Sequence, residues 1–162
     1  MQISMQQLAT IHTPFKTLAN MPVQPCGAKE SIATIEFKKI YQDGLKDLDG
    51  FSHVYLIYYF HKVQNHQLEV VPFNDKTNTQ RGVFSTRTPK HPNSIGISLV
   101  ELVKVKNNIV YVKGVDILDN TPLLDIKPYI PEFDQTCTTI RTGWMHSSAK
   151  EVAKVRSDNR FC

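Results

Sequence analysis

The sequence predicts a mostly β protein, a small single-domain β-barrel or strongly curved sheet with few short helices, on three observations. Runs rich in β-branched and aromatic residues recur along most of the chain. Two of them, 95–105 and 108–118, meet at Asn107-Asn108, a residue type that tolerates the positive φ of a tight hairpin. Helical periodicity is scarce and falls mainly near the C-terminus. At 162 residues the chain suits one domain, of a size that buries roughly two-thirds of its unfolded surface without a disulfide or metal staple. A barrel is the favoured form because closure hides strand edges.

In chain order, LATIHT (8–13) and SIATIEFKKI (31–40) read as strands. DGLKDLDG (43–50) suits one short turn of helix. FSHVYLIYYFH (51–61) is a long apolar run with few polar breaks, the pattern of a strand buried on both faces. QNHQLEVVPFNDKTNTQ (64–80) is polar and aperiodic, a loop and a candidate mobile lid. GVFST (82–86) reads as a short strand. In the first arm of the hairpin Ile95, Ile97, Leu99, Val103 and Val105 share one face at period two, interrupted by Glu101, while Lys104 and Lys106 point the other way. LLDIKPYI (123–130) is a short strand closed by Pro128 and Pro131, and Ser147-Ser148 can cap a helix in AKEVAKVR. The division expected is a barrel domain over 1–140 and a tail over 141–162, helical in part.

Composition narrows the class. No run approaches the ~18 consecutive apolar residues of a membrane span, and the N-terminus has no signal-peptide pattern, so a cytoplasmic protein is expected. Cys26, Cys137 and Cys162 form no CxxC pair and no disulfide framework. The net charge of +4 is mild, but its distribution is uneven. Residues 76–100 carry Lys76, Arg81, Arg87 and Lys90 and no acid, whereas 116–134 carry five acids against Lys127 alone. Such segregated stretches suit a zwitterion, or else neutralise each other.

Four segments combine turn formers with reactive side chains. Pro22-Val23-Gln24-Pro25-Cys26-Gly27 holds an extended chain whose amides are free of a neighbouring strand; it can wrap a small ligand and offer Gln24, or serve as an ordinary connection. His61 ends the aromatic run, where a strand-end site collects polar groups. The segment Arg81–Ser98 sets Arg87, able to fork onto a carboxylate or phosphate, beside Pro89, Pro92 and Gly96, which stiffen the loop and permit close backbone approach. In the fourth, Asp116, Asp119 and Asp125 fall within ten residues. Paired carboxylates can mean acid–base chemistry, a metal, or a grip on a ribose diol or a cation. Metal is discounted because no His stands at ligand spacing, and Asp125 with Lys127 reads as an outer-face salt bridge.

At TPFK with PVQP, GLKDLDGFSHVYLIYYFH, RGVFSTRTPKHPNSIGISLVEL and GVDILDNTPLLDIKPYIP, the chain resembles the TsaA family, whose characterised members are TrmO-type tRNA methyltransferases dependent on S-adenosylmethionine. The resemblance runs from Ile11 to Asp134 and implies a small barrel that binds S-adenosylmethionine; consistently, no GxGxxG follows a strand. It implies a homodimer with the cofactor near the subunit interface, acting on N6 of threonylcarbamoyl-adenosine beside the tRNA anticodon. It also implies a cofactor site of Pro25, Cys26, Gly27, His61, Lys62, Arg87, Ile97, Lys113, Gly114, Val115, Asp116 and Leu118. Ser94 stands where the family usually has Pro, Asn120 where it usually has Gly, and Cys26 where Gly is commoner. The second, C-terminal domain of the longer bacterial members has no counterpart in the roughly 28 residues after Asp134.

On this reading Arg87 takes the cofactor carboxylate and Asp116 the ribose hydroxyls or ammonium, while backbone around Pro25–Gly27 and Val115 frames the adenine. His61 and Asp119 are the candidate bases, and Lys90, His91 and Asn93 face RNA phosphates or the substrate's own carboxylate. The alternatives are a methyltransferase for another RNA or a small molecule, and a non-catalytic cofactor-binding module.

Overall fold

The computed structural model describes residues 1–136 and 138–158; Cys137 and Cys162 lie outside the described residues, and Cys26 is a half-buried free thiol. Six antiparallel strands close a barrel in the order β1 (Ala9–His12), β2 (Ile32–Phe37), β7 (Ile109–Lys113), β6 (Ile95–Lys106), β3 (His53–Tyr59), β8 (Thr121–Pro128), with β8 returning to β1. β4 (Glu69–Val70) and β5 (Arg81–Gly82) form a separate ribbon. Two single-turn helices, α1 (Pro131–Asp134) and α2 (Ala149–Val152), complete the regular structure together with several 3₁₀ turns.

One side chain in two points inward from each barrel strand, and these build the core: Ile11, Ile35, Val54, Leu56, Val100, Val110, Val112 and Leu123 are all essentially excluded from solvent. At roughly 1.5–3 kcal/mol for each such side chain buried, they fix which face of each strand turns in. The hairpin turns at Asn107, with φ +55, as its amide side chain permits. β7 ends at Lys113 because Gly114 enters the left-handed region at φ +83. Asp125 and Lys127 pair on the outer face at 2.9 Å.

Four expectations change. β3 is fully buried on one face only; Tyr55 and Ile57 are half-buried and Tyr59 is exposed. The segment 82–86 is mostly a 3₁₀ turn, Val83–Ser85, because its strand pairing stops at Gly82. The face of β6 that carries Ile97 and Leu99 is the outer one, and Gly96, Ser98, Val100 and Leu102 face inward. A bulge between Leu102 and Lys104 then shifts the register, so Lys104 also lies outside, its ammonium 4.6 Å above the Tyr111 ring. Finally, 64–80 is not loop throughout: Glu69–Val70 pair with Arg81–Gly82 as a short ribbon, and the Asp75 carboxylate holds Arg81 at 2.7 Å.

The C-terminal tail folds back. Ser148 caps α2 in a reciprocal capping box with Glu151. Ser157 then lies along the N-terminal arm: its N–H donates to Met21 O, its carbonyl accepts from Asn20 N–H, and its hydroxyl contacts Leu18 O and accepts from Met21 N–H. Gly27 allows this packing, since a Cβ there would sit 3.0 Å from Ala153 O.

Candidate functional site

A cavity of about 940 Å³ opens at one end of the barrel, within the range of small-molecule sites. Besides Phe60, Val63, Pro72, Phe73 and Asn74, its walls come from four places. The arm Leu18–Cys26 forms one side, the arginine turn (Phe84–Pro89 and His91) another, and the C-terminal segment (Thr142, Trp144, Met145 and residues to 158) a third. The barrel closes the floor with Tyr58, Ile95–Ile97 and Asp116.

The floor explains the unusual inward face of β6. Gly96 faces the Tyr58 ring so closely that a Cβ would lie 2.3 Å from it. Ser98 is buried and donates to the Asp116 carboxylate at 2.9 Å. With that proton committed, the Tyr58 hydroxyl, 3.2 Å away, must donate to Ser98 in turn. Burial pushes the Asp116 carboxyl up to about 6, against the pull of the Ser98 hydrogen bond and the Arg87 charge. Burial likewise raises the Tyr58 phenol, so it stays a donor.

Arg87 lines the same cavity and makes no hydrogen bond or ion pair with another described residue. A cation without an ion pair among the described residues and a carboxylate of raised affinity for protons thus share one apolar chamber. Pro25 opens a 3₁₀ turn, Pro25–Gly27, whose Pro25 and Cys26 reach the lining with Gln24 before them. The chemistry of this donor set fits a zwitterionic nucleotide-like ligand: a carboxylate for Arg87, a cation or diol for Asp116, and apolar walls for a flat ring.

Of the residues singled out from the sequence, Gln24, Pro25, Cys26, Arg87, His91, Ile97 and Asp116 line the cavity. The others lie around or away from it. Gly27 packs on the C-terminal segment. His61 and Lys62 fall between the lining residues Phe60 and Val63; burial, reinforced by the Lys62 charge, lowers the His61 imidazole, which is therefore largely neutral at pH 7. Lys113 pairs with Glu30 at 2.9 Å. Gly114 supplies the turn, and the Val115 N–H donates to Ser31 Oγ at 2.9 Å. Leu118 O accepts from Thr121.

Asp119 sits in a separate knot, where Lys16 (2.7 Å) and the Thr13 N–H (2.9 Å) hold it. Burial would raise its carboxyl, but Lys16, Thr13 and His12 together bring it below its ordinary value, which makes it a poor base. Lys90 is buried and donates to Gln64 O at 2.8 Å, so its ammonium ties the 64–80 segment to the turn. Asn93 is exposed on that turn. Ser94 adopts φ +47, a conformation closed to proline, and Asn120 takes φ +62 where Gly would be at ease. Sequence reasoning missed Tyr58, Ser98 and the whole C-terminal wall. Among the described residues no group of three or more His, Cys, Asp or Glu could hold a metal ion, and no helix is long and apolar enough to cross a membrane.

A closed barrel with an apolar-walled chamber lined by both Arg87 and Asp116 has the form of a small-molecule-binding domain. The sequence profile of the tRNA-methyltransferase O N-terminal domain matches residues 10–135, and the chain belongs to that family. It is 44% identical over 161 residues to a probable S-adenosyl-L-methionine-binding protein of Pyrococcus abyssi, covering 99% of this chain and 86% of that one. It is 38% identical over 135 residues to the tRNA (adenine(37)-N6)-methyltransferase of Mus musculus, covering 80% of this chain but 31% of the mouse protein. The crystal structure of TrmO from Pseudomonas aeruginosa superposes with a TM-score of 0.72 at 32% identity, over 88% of this chain and 62% of that one.

Proposed function

We propose that this protein is an S-adenosylmethionine-dependent methyltransferase that modifies N6 of threonylcarbamoyl-adenosine next to the anticodon of tRNA. Family membership supports the cofactor and the reaction class; the observation that carries the reading is the presence of both Arg87 and Asp116 in the lining of one apolar cavity. S-adenosylmethionine supplies a methyl group on a sulfonium, so the chain's work is to bind, align and exclude water. Arg87 takes the carboxylate, and Asp116, oriented by Ser98 and Tyr58, takes the ribose hydroxyls or ammonium. Gln24, Pro25 and Cys26 frame the remainder, alongside Ile97, while Gly27, Lys62, Lys113, Gly114, Val115 and Leu118 support the chamber from around its lining.

The acceptor nitrogen needs a proton acceptor in line with the methyl group. Of the two candidates, His61 is the better base, being neutral at pH 7, while Asp119 is held ionised by Lys16. His91 and Asn93 on the arginine turn face the substrate, with Lys90 bracing the turn from beneath. A cytoplasmic homodimer fits the same picture: Ile97, Leu99 and Val103 are 51%, 37% and 51% exposed on one strand, a stripe interrupted by Glu101, suited to a second copy and continuous, through Ile97, with the cavity.

The test is mass spectrometry of total tRNA nucleosides from cells with and without the gene, beside equilibrium dialysis of the purified protein with labelled cofactor. Loss of methylated threonylcarbamoyl-adenosine without the gene supports the reading. An unchanged profile with saturable uptake favours a second reading, a cofactor-binding protein without this activity, which the name of the Pyrococcus abyssi relative suggests.

A further inference from the structure

The cavity mouth carries a feature that cofactor binding leaves unexplained. Phe84 is 75% exposed although its turn is firmly held: Val83 beside it is buried, the Val83 N–H donates to Leu68 O, and Ser85 and Thr86 hydroxyls donate to Gly82 O and Val83 O. A loosely tethered loop would let the ring collapse onto the surface. Here the backbone displays it. On one side stands His91, ring centroids 5.7 Å apart and nearly perpendicular, its Nε2 3.1 Å from Thr86 O. Trp144 lines the same chamber, and its indole N–H donates to Ser85 O at 2.8 Å. The Arg81 guanidinium lies 5.4 Å over the indole and is itself fixed by Asp75 and Thr77.

Resting on the methyltransferase reading, we infer that Phe84, Trp144 and His91 form a stacking subsite for an unpaired nucleobase of single-stranded RNA at the cavity entrance. Three rings line one chamber and each is oriented by a backbone hydrogen bond or ring contact. The surrounding stretch 76–100 is free of acidic residues, which suits a phosphodiester chain. Aromatic faces bind any base, so such a rim tolerates sequence while holding the strand. An enzyme that works on a base must take it out of the stack, and a stacking partner outside the helix offsets that cost. Trp144 comes from a segment beyond the family match at 10–135, so the subsite joins the barrel domain to the C-terminal wall.

Trp144 is the only tryptophan in the chain and reports on its own site. The full-length protein is titrated with a short single-stranded oligoribonucleotide and with an abasic oligomer of equal length, following indole fluorescence. Quenching by the first and not the second is expected, with about a tenfold weaker affinity in Phe84→Ala that Phe84→Tyr restores and Phe84→Leu does not. Equal quenching by the abasic oligomer, full affinity in Phe84→Leu, or conversion of a dimer to monomer by Phe84→Ala in ultracentrifugation would overturn the subsite. Cofactor dialysis on the same samples separates the two ideas: saturable uptake without base-dependent quenching sinks the stacking rim alone, and base-dependent quenching without uptake sinks the methyltransferase reading alone.

Discussion

Asp116→Asn makes opposite demands on stability and binding. The carboxyl is raised from 3.8 to about 6 in the folded chain, so the native state holds a proton that the unfolded state releases between those values. Above pH 6 both states are ionised and the folded protein carries the full penalty; as pH falls from 6 toward 4 the penalty is relieved. Two units would correspond to about 3 kcal/mol, and partial access to water in the cavity reduces this to about 2 kcal/mol. Asn keeps the shape and can still accept from Ser98. The variant should therefore melt about 4–8 °C higher than the parent at pH 8, with the gap closing by pH 4. Its cofactor affinity should fall, and the parent's affinity should rise with pH through about 6, because a bound cation favours the ionised carboxylate. Differential scanning fluorimetry across pH, with and without S-adenosylmethionine, reads both effects. A variant less stable at pH 8, or a gap that does not narrow in acid, would refute the assignment of a desolvated carboxyl at this position.

Other substitutions probe neighbouring parts. Arg87→Ala should weaken cofactor binding by about 1.5–3 kcal/mol, the range for hydrogen bonds to charged groups, and unchanged titration calorimetry would remove Arg87 from the site. Gly96→Ala drives a methyl group into the Tyr58 ring and should cost about 1–3 kcal/mol in urea unfolding; a neutral result would mean the ring moves freely. Lys90→Ala leaves Gln64 O without its donor and should lower stability by about 1–3 kcal/mol, leaving the salt dependence of RNA binding as it was. A flattened salt slope in that variant would instead put its ammonium on phosphate.

Much of the architecture was legible because strand alternation and turn chemistry are local. Asn107 announced its hairpin and Asp125–Lys127 its surface pair. What alternation conveys is a period, and it leaves open which side faces in. In the first half of β6 Ile97 and Leu99 lie outside, since Ser98 on the other face reaches Asp116 and Gly96 leaves room for the Tyr58 ring. The bulge after Leu102 broke the period at a point no side chain marks. At the site, Arg87, Asp116 and Pro25 were recognisable from residue type and family likeness. Asp119 has the same chemistry as Asp116, yet its role turned on Lys16 and Thr13, more than 100 positions away in the chain. Trp144 and Ser157 gave no local sign of joining a cavity wall, since their partners belong to the loop after β5 and the N-terminal arm.

The clasp between Ser157 and residues 18–21 makes the chamber's closure a long-range event: two stretches more than 130 positions apart must zip together before its third wall exists. Occupancy and zipping are then thermodynamically linked, each favouring the other. Protease sensitivity near Arg156 should accordingly fall when ligand is added, and deletions or fusions beyond residue 141 should be felt in affinity even though the barrel itself is left whole.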